Sequence, residues 1–251
     1  MASGRQDREA RAERMRKDRE KADRKQRNVL TVAIVAVVVA LIALGGYAVT
    51  AAKDDDKTAQ TPRNVNADFG ILYSAQVAGA DPVRVTLYED FLCPGCGALE
   101  ASAGSFLDDA VASGEIEIEY RPFAFLTEQS TNEYSQRAWN AAACVVDEGG
   151  PEKFKAFHDI LFANQPQEGG PGPEDDELIA FAEQAGVTGI DDCVEKQTFT
   201  PWVEDALDRG MDDGVGSTPT LLVDGKVVEG AGRTVPTVED IRKAIAAAGS
   251  N

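Results

Sequence analysis

The sequence predicts an α/β domain, a small mixed sheet with helices packed on its faces, interrupted by an inserted helical block and preceded by one transmembrane helix. Strand-type hydrophobic patterning on either side of a block of helix-type patterning carries the first part of this reading. The run Cys93-Pro94-Gly95-Cys96, where the second strand meets the first helix, carries the second. Residues 29–49, which contain no charged side chain, carry the anchor. At about 1.5 Å per residue they cover the roughly 30 Å hydrocarbon core of a bilayer. A secretory signal has a shorter apolar region, about 7 to 15 residues, so the run reads as an uncleaved anchor.

Charge orders the chain around that run. Among 251 residues, 25 are Lys or Arg and 43 are Asp or Glu, a net charge of -18. Residues 1–28 hold eleven basic and six acidic side chains, which leaves -23 on the remainder. The basic excess before the apolar run, against Asp54, Asp55 and Asp56 after it, places the N-terminus in the cytoplasm and the bulk of the chain outside. A single-pass cell-membrane protein in contact with the lipid bilayer through residues 29–49 is expected. The acidity of the remainder argues against nucleic acid, which needs a basic surface to displace counterions. Glu13/Lys17 and Glu20/Arg24, each four apart, support a solvated helix in the basic tail. Residues 50–68 are polar, contain Pro62 and lack a hydrophobic period, the pattern of a flexible tether.

The outer domain, 69–251, begins with strand candidates over Ile71 to Val77 and Val83 to Tyr88. Leu99, Ala103, Phe106, Leu107, Ala110 and Val111 then recur at helical spacing, with Gly114 placed to end the helix. Ile116, Ile118 and Tyr120 alternate with Glu115, Glu117, Glu119 and Arg121, the period of a strand with one wet edge or face. The helical insertion occupies about 130–213, with one stripe at Tyr134, Ala138, Ala141 and Val145 and another at Phe154, Phe157, Ile160 and Leu161. Gln165 to Asp176, rich in Gly and Pro, reads as a loop. Thr220 to Val223 and Lys226 to Glu229, joined by Asp224-Gly225, carry the signal of a tight hairpin. Thr237 caps a last helix over Val238 to Ala248.

Four cysteines allow three pairings. Cys93 and Cys96 lie together at a strand-to-helix junction, while Cys144 and Cys193 sit singly in the insertion. In an oxidising compartment this position pairs Cys93 with Cys96 and Cys144 with Cys193. A cysteine at the start of a helix faces unpaired N–H groups and the positive end of the dipole, which favour thiolate over thiol. Pro94 suits the first helical position, which needs no N–H. Cys93 is then the attacking sulfur and Cys96, one turn on, the resolving one, able to exchange a disulfide with another protein. Structural zinc asks for four ligands, but there is no second Cys-x-x-Cys and His158 is the only histidine, so no metal is expected. His158 and most of Phe123, Phe125, Phe154, Phe157, Phe162, Phe181 and Trp202 read as core.

Taken together, the run from Tyr88 to Cys96, the helical insertion and Gly216-Ser217-Thr218-Pro219 ahead of the hairpin resemble the DsbA-type thioredoxin-fold thiol:disulfide oxidoreductases, in particular membrane-anchored actinobacterial members. The resemblance covers about 69–248. It implies a cis-proline at Pro219 facing the cysteines, with the backbone of Thr218 left free to pair with an incoming peptide beside Cys93, Pro94 and Gly95. It also implies a second bridge in the insertion and no organic cofactor. The partners it implies are reduced or unfolded exported proteins and a membrane reoxidant such as a vitamin K epoxide reductase homologue.

Two positions depart from the family pattern. Gly95 stands where such enzymes often have His, which predicts a milder oxidant, with a potential below the roughly -120 mV of the His-containing type. Leu87 occupies the position, six before the first cysteine, where the fold often carries a buried carboxylate. Glu89 and Asp90 lie nearer, and strand alternation makes Asp90 the preferred acceptor of the Cys96 proton. The function expected is formation or exchange of disulfides in exported proteins. The alternatives are a disulfide reductase or isomerase, and a non-catalytic membrane-tethered binding module that retains the fold.

Overall fold

The computed structural model describes residues 59–230, 232 and 235–250. The basic tail, the apolar run 29–49 and the first part of the tether lie outside the described residues. Among the described residues no helix is long and apolar enough to cross a membrane.

Strand-forming sequence supplies a five-stranded sheet in the order β1-β3-β2-β4-β5, in which β1 is Ile71–Tyr73, β2 Val83–Glu89, β3 Ile116–Pro122, β4 Thr220–Val223 and β5 Lys226–Val227. β2 lies at the centre, parallel to β3 and antiparallel to β4, with Leu87 opposite both Tyr120 and Leu221. A parallel β2–β3 pair needs a crossover, which helix α1 (Pro94–Ala112) provides. β4 turns into β5 through Asp224 and Gly225, both at positive φ (48° and 73°), the backbone a two-residue hairpin requires. β1 stops at Tyr73, short of the expected Val77, and Gln76 at φ 50° bars an extended run as far as Val77.

The insertion is built on α2 (Tyr134–Ala163), which bends where Gly150 adopts φ 78° ahead of Pro151. Three shorter helices, α3 (Asp175–Gln184), α4 (Asp191–Glu195) and α5 (Thr200–Asp212), pack against it. Trp139, Phe154 and Phe157 of α2 are fully buried. Cys144 of α2 is joined to Cys193 of α4 by a disulfide, closing 49 residues of sequence. The chain ends in α6 (Val238–Ala248), with Thr237 and Asp240 forming a reciprocal capping box.

The tether reading extends too far. Arg63 donates from its backbone and guanidinium to Asp147 at 2.6, 3.1 and 3.0 Å, and the Asn64 amide donates to the Val146 carbonyl at 3.0 Å. Polar contacts hold this segment, so hydrophobic period could not reveal it. Glu119, expected on a wet face, is 2% exposed and accepts from Asn66, Thr86 and Arg121.

Candidate active site

β2 delivers the chain to a tight junction before α1. The Leu92 N–H donates to Asp90 Oδ1 at 2.8 Å, and the Cys93 N–H donates to the Asp90 carbonyl at 3.0 Å. Cys93 is the N-cap of α1, with extended φ/ψ (-69°, 117°), and Pro94 holds the first helical position. Its sulfur therefore sits at the N-terminal end of a 19-residue helix. The Cys93 thiol donates to the Thr218 carbonyl at 3.3 Å. The Thr218–Pro219 peptide is cis. A Cβ placed on Gly95 would stand 3.0 Å from Pro219 Cδ and 3.6 Å from the Cys93 sulfur, so the residue between the cysteines and the proline already touch. A groove of about 290 Å³ beside this contact is lined by Ser217, Pro219, Thr220 and Val228.

Cys93 and Cys96, paired in the reading of the sequence, both carry free thiols here. Their environments differ. Cys93 keeps 7% of its surface, whereas Cys96 has none. A hydrogen bond from the Cys96 thiol lowers the Cys93 pKa to about 6, against the opposing effect of burial, with further help from the N–H groups of Cys96 and Gly95. Burial pushes the Cys96 thiol far up, and its bond to Cys93 and the negative charge of Glu89 add to this. One sulfur is poised as thiolate at the surface and the other is held as a thiol beneath it.

The structure reverses the expected order of the two carboxylates. Asp90 is fully buried, but its side chain is saturated by the N–H groups of Leu92 and Leu126 (2.8 and 2.9 Å) and the Ser135 hydroxyl (2.6 Å). Burial, opposed by these bonds, raises its pKa to about 6. Asp90 thus shapes the junction, touching Cys96 only through its backbone. Glu89 is the carboxylate whose charge acts on Cys96. It shares the face of β2 that buries Val85 and Leu87, while its Oε2 pairs with His158 Nε2 at 2.9 Å and its Oε1 has no partner. Asp90→Ala is expected to destabilise the fold by about 3 kcal/mol, because it leaves buried donors unpaired. Closure of the Cys93–Cys96 disulfide from a mixed disulfide should keep its rate in the folded variant, as acid quenching and mass spectrometry will show.

Two contributors escaped the sequence reading. His158 is fully buried and ringed by Phe91, Tyr120, Phe154 and Phe162. Despite burial, its bonds to Asp159 and Glu89 raise its pKa to about 9. Gln165, at the start of an expected loop, donates to the carbonyls of Phe91 and Cys93 at 3.1 and 2.9 Å and so ties the end of α2 to the junction. Among the described residues Glu89, Glu100 and His158 also place one metal-ligating atom each within 4.8 Å of one another. His158 Nε2 is already committed to Glu89, so these groups read as a hydrogen-bonded charge cluster. Of the aromatic candidates, Phe123, Phe154, Phe157 and Trp202 are core, while Phe125 is 37% exposed.

A βαβ crossover carrying a dithiol at its helix N-terminus, opposite a cis-proline that opens an antiparallel hairpin, defines a thioredoxin-fold dithiol protein. A family model described as Thioredoxin matches residues 78–247. The chain belongs to the thioredoxin family, in its DsbA-like branch. The reduced form of the disulfide bond oxidoreductase DsbG from Mycobacterium tuberculosis is 32% identical, with a TM-score of 0.58 over 72% of this chain and 95% of that one. Reduced DsbA from the same organism is 31% identical, with a TM-score of 0.57 over 72% and 99%. The serine/threonine-protein kinase PknE of Mycobacterium tuberculosis is 32% identical over 121 residues, which are 47% of this chain and 21% of the kinase. The chain thus spans about a fifth of that relative's length.

Proposed function

We propose that this protein is an extracytoplasmic thiol:disulfide oxidoreductase that forms or exchanges disulfides in exported proteins through Cys93 and Cys96, held at the membrane by residues 29–49. The observation that carries the reading is the division of labour between the two sulfurs: Cys93 at the helix N-terminus with a pKa near 6, and Cys96 buried one turn behind it. A substrate thiolate attacks the Cys93 sulfur of the oxidised pair, Cys96 leaves as thiolate and takes a proton, and a second substrate thiol then releases Cys93. The substrate acquires the disulfide and the enzyme is left as dithiol. Pro219 offers no N–H, and the Thr218 carbonyl beside Cys93 is placed to pair with an extended peptide lying in the adjoining groove.

The names of the similar structures support the same chemistry, and the apolar run with its basic flank supports the location. Continued turnover then needs a membrane reoxidant, for which a vitamin K epoxide reductase homologue has suitable chemistry. The test mixes oxidised full-length protein with a reduced, unfolded protein and follows loss of substrate thiols. Stoichiometric transfer of the Cys93–Cys96 disulfide is expected. A substrate that keeps its thiols while Cys93 and Cys96 stay oxidised would remove the reading.

A further inference from the structure

A buried thiol that must gain or lose a proton needs a route for it. Cys96 and Glu89 are both without exposed surface. Side-chain hydrogen bonds form one continuous chain outward: Glu89 Oε2 to His158 Nε2 at 2.9 Å, then His158 Nδ1 to Asp159 Oδ1 at 3.2 Å. The Asp159 side chain is 49% exposed and lines a cavity of about 320 Å³ between α1 and the second half of α2. Glu100, one helical turn after Cys96, lines the same cavity and has an atom within 4.8 Å of both Glu89 and His158.

We propose that His158 and Asp159 are the proton outlet of the resolving cysteine, connecting the buried carboxylate of Glu89 to solvent in the cavity between α1 and α2. The proposal rests on the dithiol chemistry given above and adds a route contributed by the inserted helix. In the step that closes the Cys93–Cys96 disulfide, the Cys96 proton is taken up by Glu89, the buried carboxylate whose charge acts on this thiol and whose Oε1 is without a hydrogen-bond partner. The Cys96 thiolate attacks the Cys93 sulfur of a mixed disulfide, the bond from Cys93 to the substrate sulfur breaks, and the substrate leaves as thiolate. Cys96 sulfur is oxidised and the substrate sulfur reduced. Once Glu89 is neutral it no longer holds His158 as imidazolium, so Nδ1 gives its proton to Asp159, Asp159 releases it to water, and the ring keeps its Nε2–H on Glu89 Oε2. The opposite reaction runs the same chain inward.

The groups that face the imidazole fit this role. Glu89 comes from β2, Glu100 from α1, Tyr120 from β3 with its ring 4.7 Å away, and Asp159 from α2 itself. Lys155 holds both oxygens of Asp159 at 2.8 Å, which keeps the outer carboxylate aimed at the ring. Negative groups on two sides hold His158 protonated through neutrality, with both ring N–H groups donating. Such a ring sheds its Nδ1 proton to Asp159, and regains it, without moving.

The test mixes reduced full-length protein with oxidised glutathione in H2O and in D2O. Acid quenching and mass spectrometry then follow conversion of the Cys93–glutathione mixed disulfide to the Cys93–Cys96 disulfide. His158→Gln is expected to slow conversion about a hundredfold and Asp159→Asn about tenfold, with Cys93 alkylation within about twofold of wild type and the D2O slowing enlarged. Asp159 is half-exposed, so its variant remains informative if His158→Gln does not fold. Conversion at the wild-type rate in folded Asp159→Asn, or alkylation slowed by the same factor as conversion, overturns the proposal alone. A wild type that forms no mixed disulfide at all overturns both the proposal and the function on which it rests.

Discussion

Cys93→Ser is expected to reduce thiol–disulfide exchange to the uncatalysed background, while Cys96→Ser should leave substrate trapped on Cys93 as a mixed disulfide. The asymmetry follows from burial and electrostatics. Only Cys93 reaches the surface, and with a pKa near 6 it is roughly nine-tenths thiolate at pH 7, against roughly 1% for an unperturbed thiol of pKa 9. Iodoacetamide reaction of the reduced protein should therefore titrate with a midpoint near pH 6 and vanish in Cys93→Ser. A midpoint near 8 or above would show that the helix N-terminus and the Cys96 thiol do not stabilise the thiolate. The same shift makes stability depend on pH in a definite direction. The Cys93 pKa is lower folded than unfolded, so its contribution to the reduced fold is fully present above about pH 9 and is lost as pH falls through 6. The oxidised form carries no such thiolate, and its stability should lack this dependence, as denaturant melts of both forms will show.

Removing the insertion's bridge should be the largest single loss of stability. Cys144–Cys193 closes 49 residues, for which chain entropy gives about 4 kcal/mol, an upper value because residual structure in the unfolded chain reduces it. The double variant Cys144→Ser/Cys193→Ser is expected to melt about 8 to 15 °C lower. α4 has only five residues, too few to be stable alone, and the bridge holds it against α2. Because the bridge joins two helices of the insertion rather than the β2–α1 junction, Cys93 alkylation in the folded variant should match wild type. A fall of less than about 1 kcal/mol would mean that the packing around Asn140, whose amide bridges the Val194 carbonyl and the Phe199 N–H, already clamps these helices.

What the sequence revealed and what it concealed divide along physical lines. Elements whose signal is local were legible. Alternation marked β3, Asp224-Gly225 marked the hairpin, and Thr237 with Asp240 marked the start of α6. The Cys93-Pro94 start of α1 could be read because capping and proline chemistry act within one turn. The roles of Glu89 and Asp90 were harder to separate, since adjacent residues at a strand end are distinguished only by what packs on each face. His158 lies 69 residues from Glu89, and Gln165 lies 72 from Cys93, so neither contact leaves a local pattern. A lone histidine on an aromatic face reads as core, and here it is core and charged together. Arg63 and Asn64 were missed for the related reason that polar docking has no hydrophobic period.

The reduction potential of the Cys93–Cys96 couple in the full-length protein, equilibrated against glutathione and read by mass spectrometry, tests the central claim most directly. Lowering the Cys93 pKa to about 6 stabilises the reduced form at pH 7 and raises the potential by at most about 30 mV, less where solvent at the site screens the charge. Gly95 withholds the further donor that a histidine would supply. A disulfide donor with this site should lie between about -180 and -120 mV at pH 7, and its potential should fall by about 30 mV per pH unit above pH 6 and about 60 mV below it. A potential below about -250 mV, or a slope that does not change near pH 6, would contradict the account: the pair would then be a reductant or an inert bridge rather than a source of disulfides.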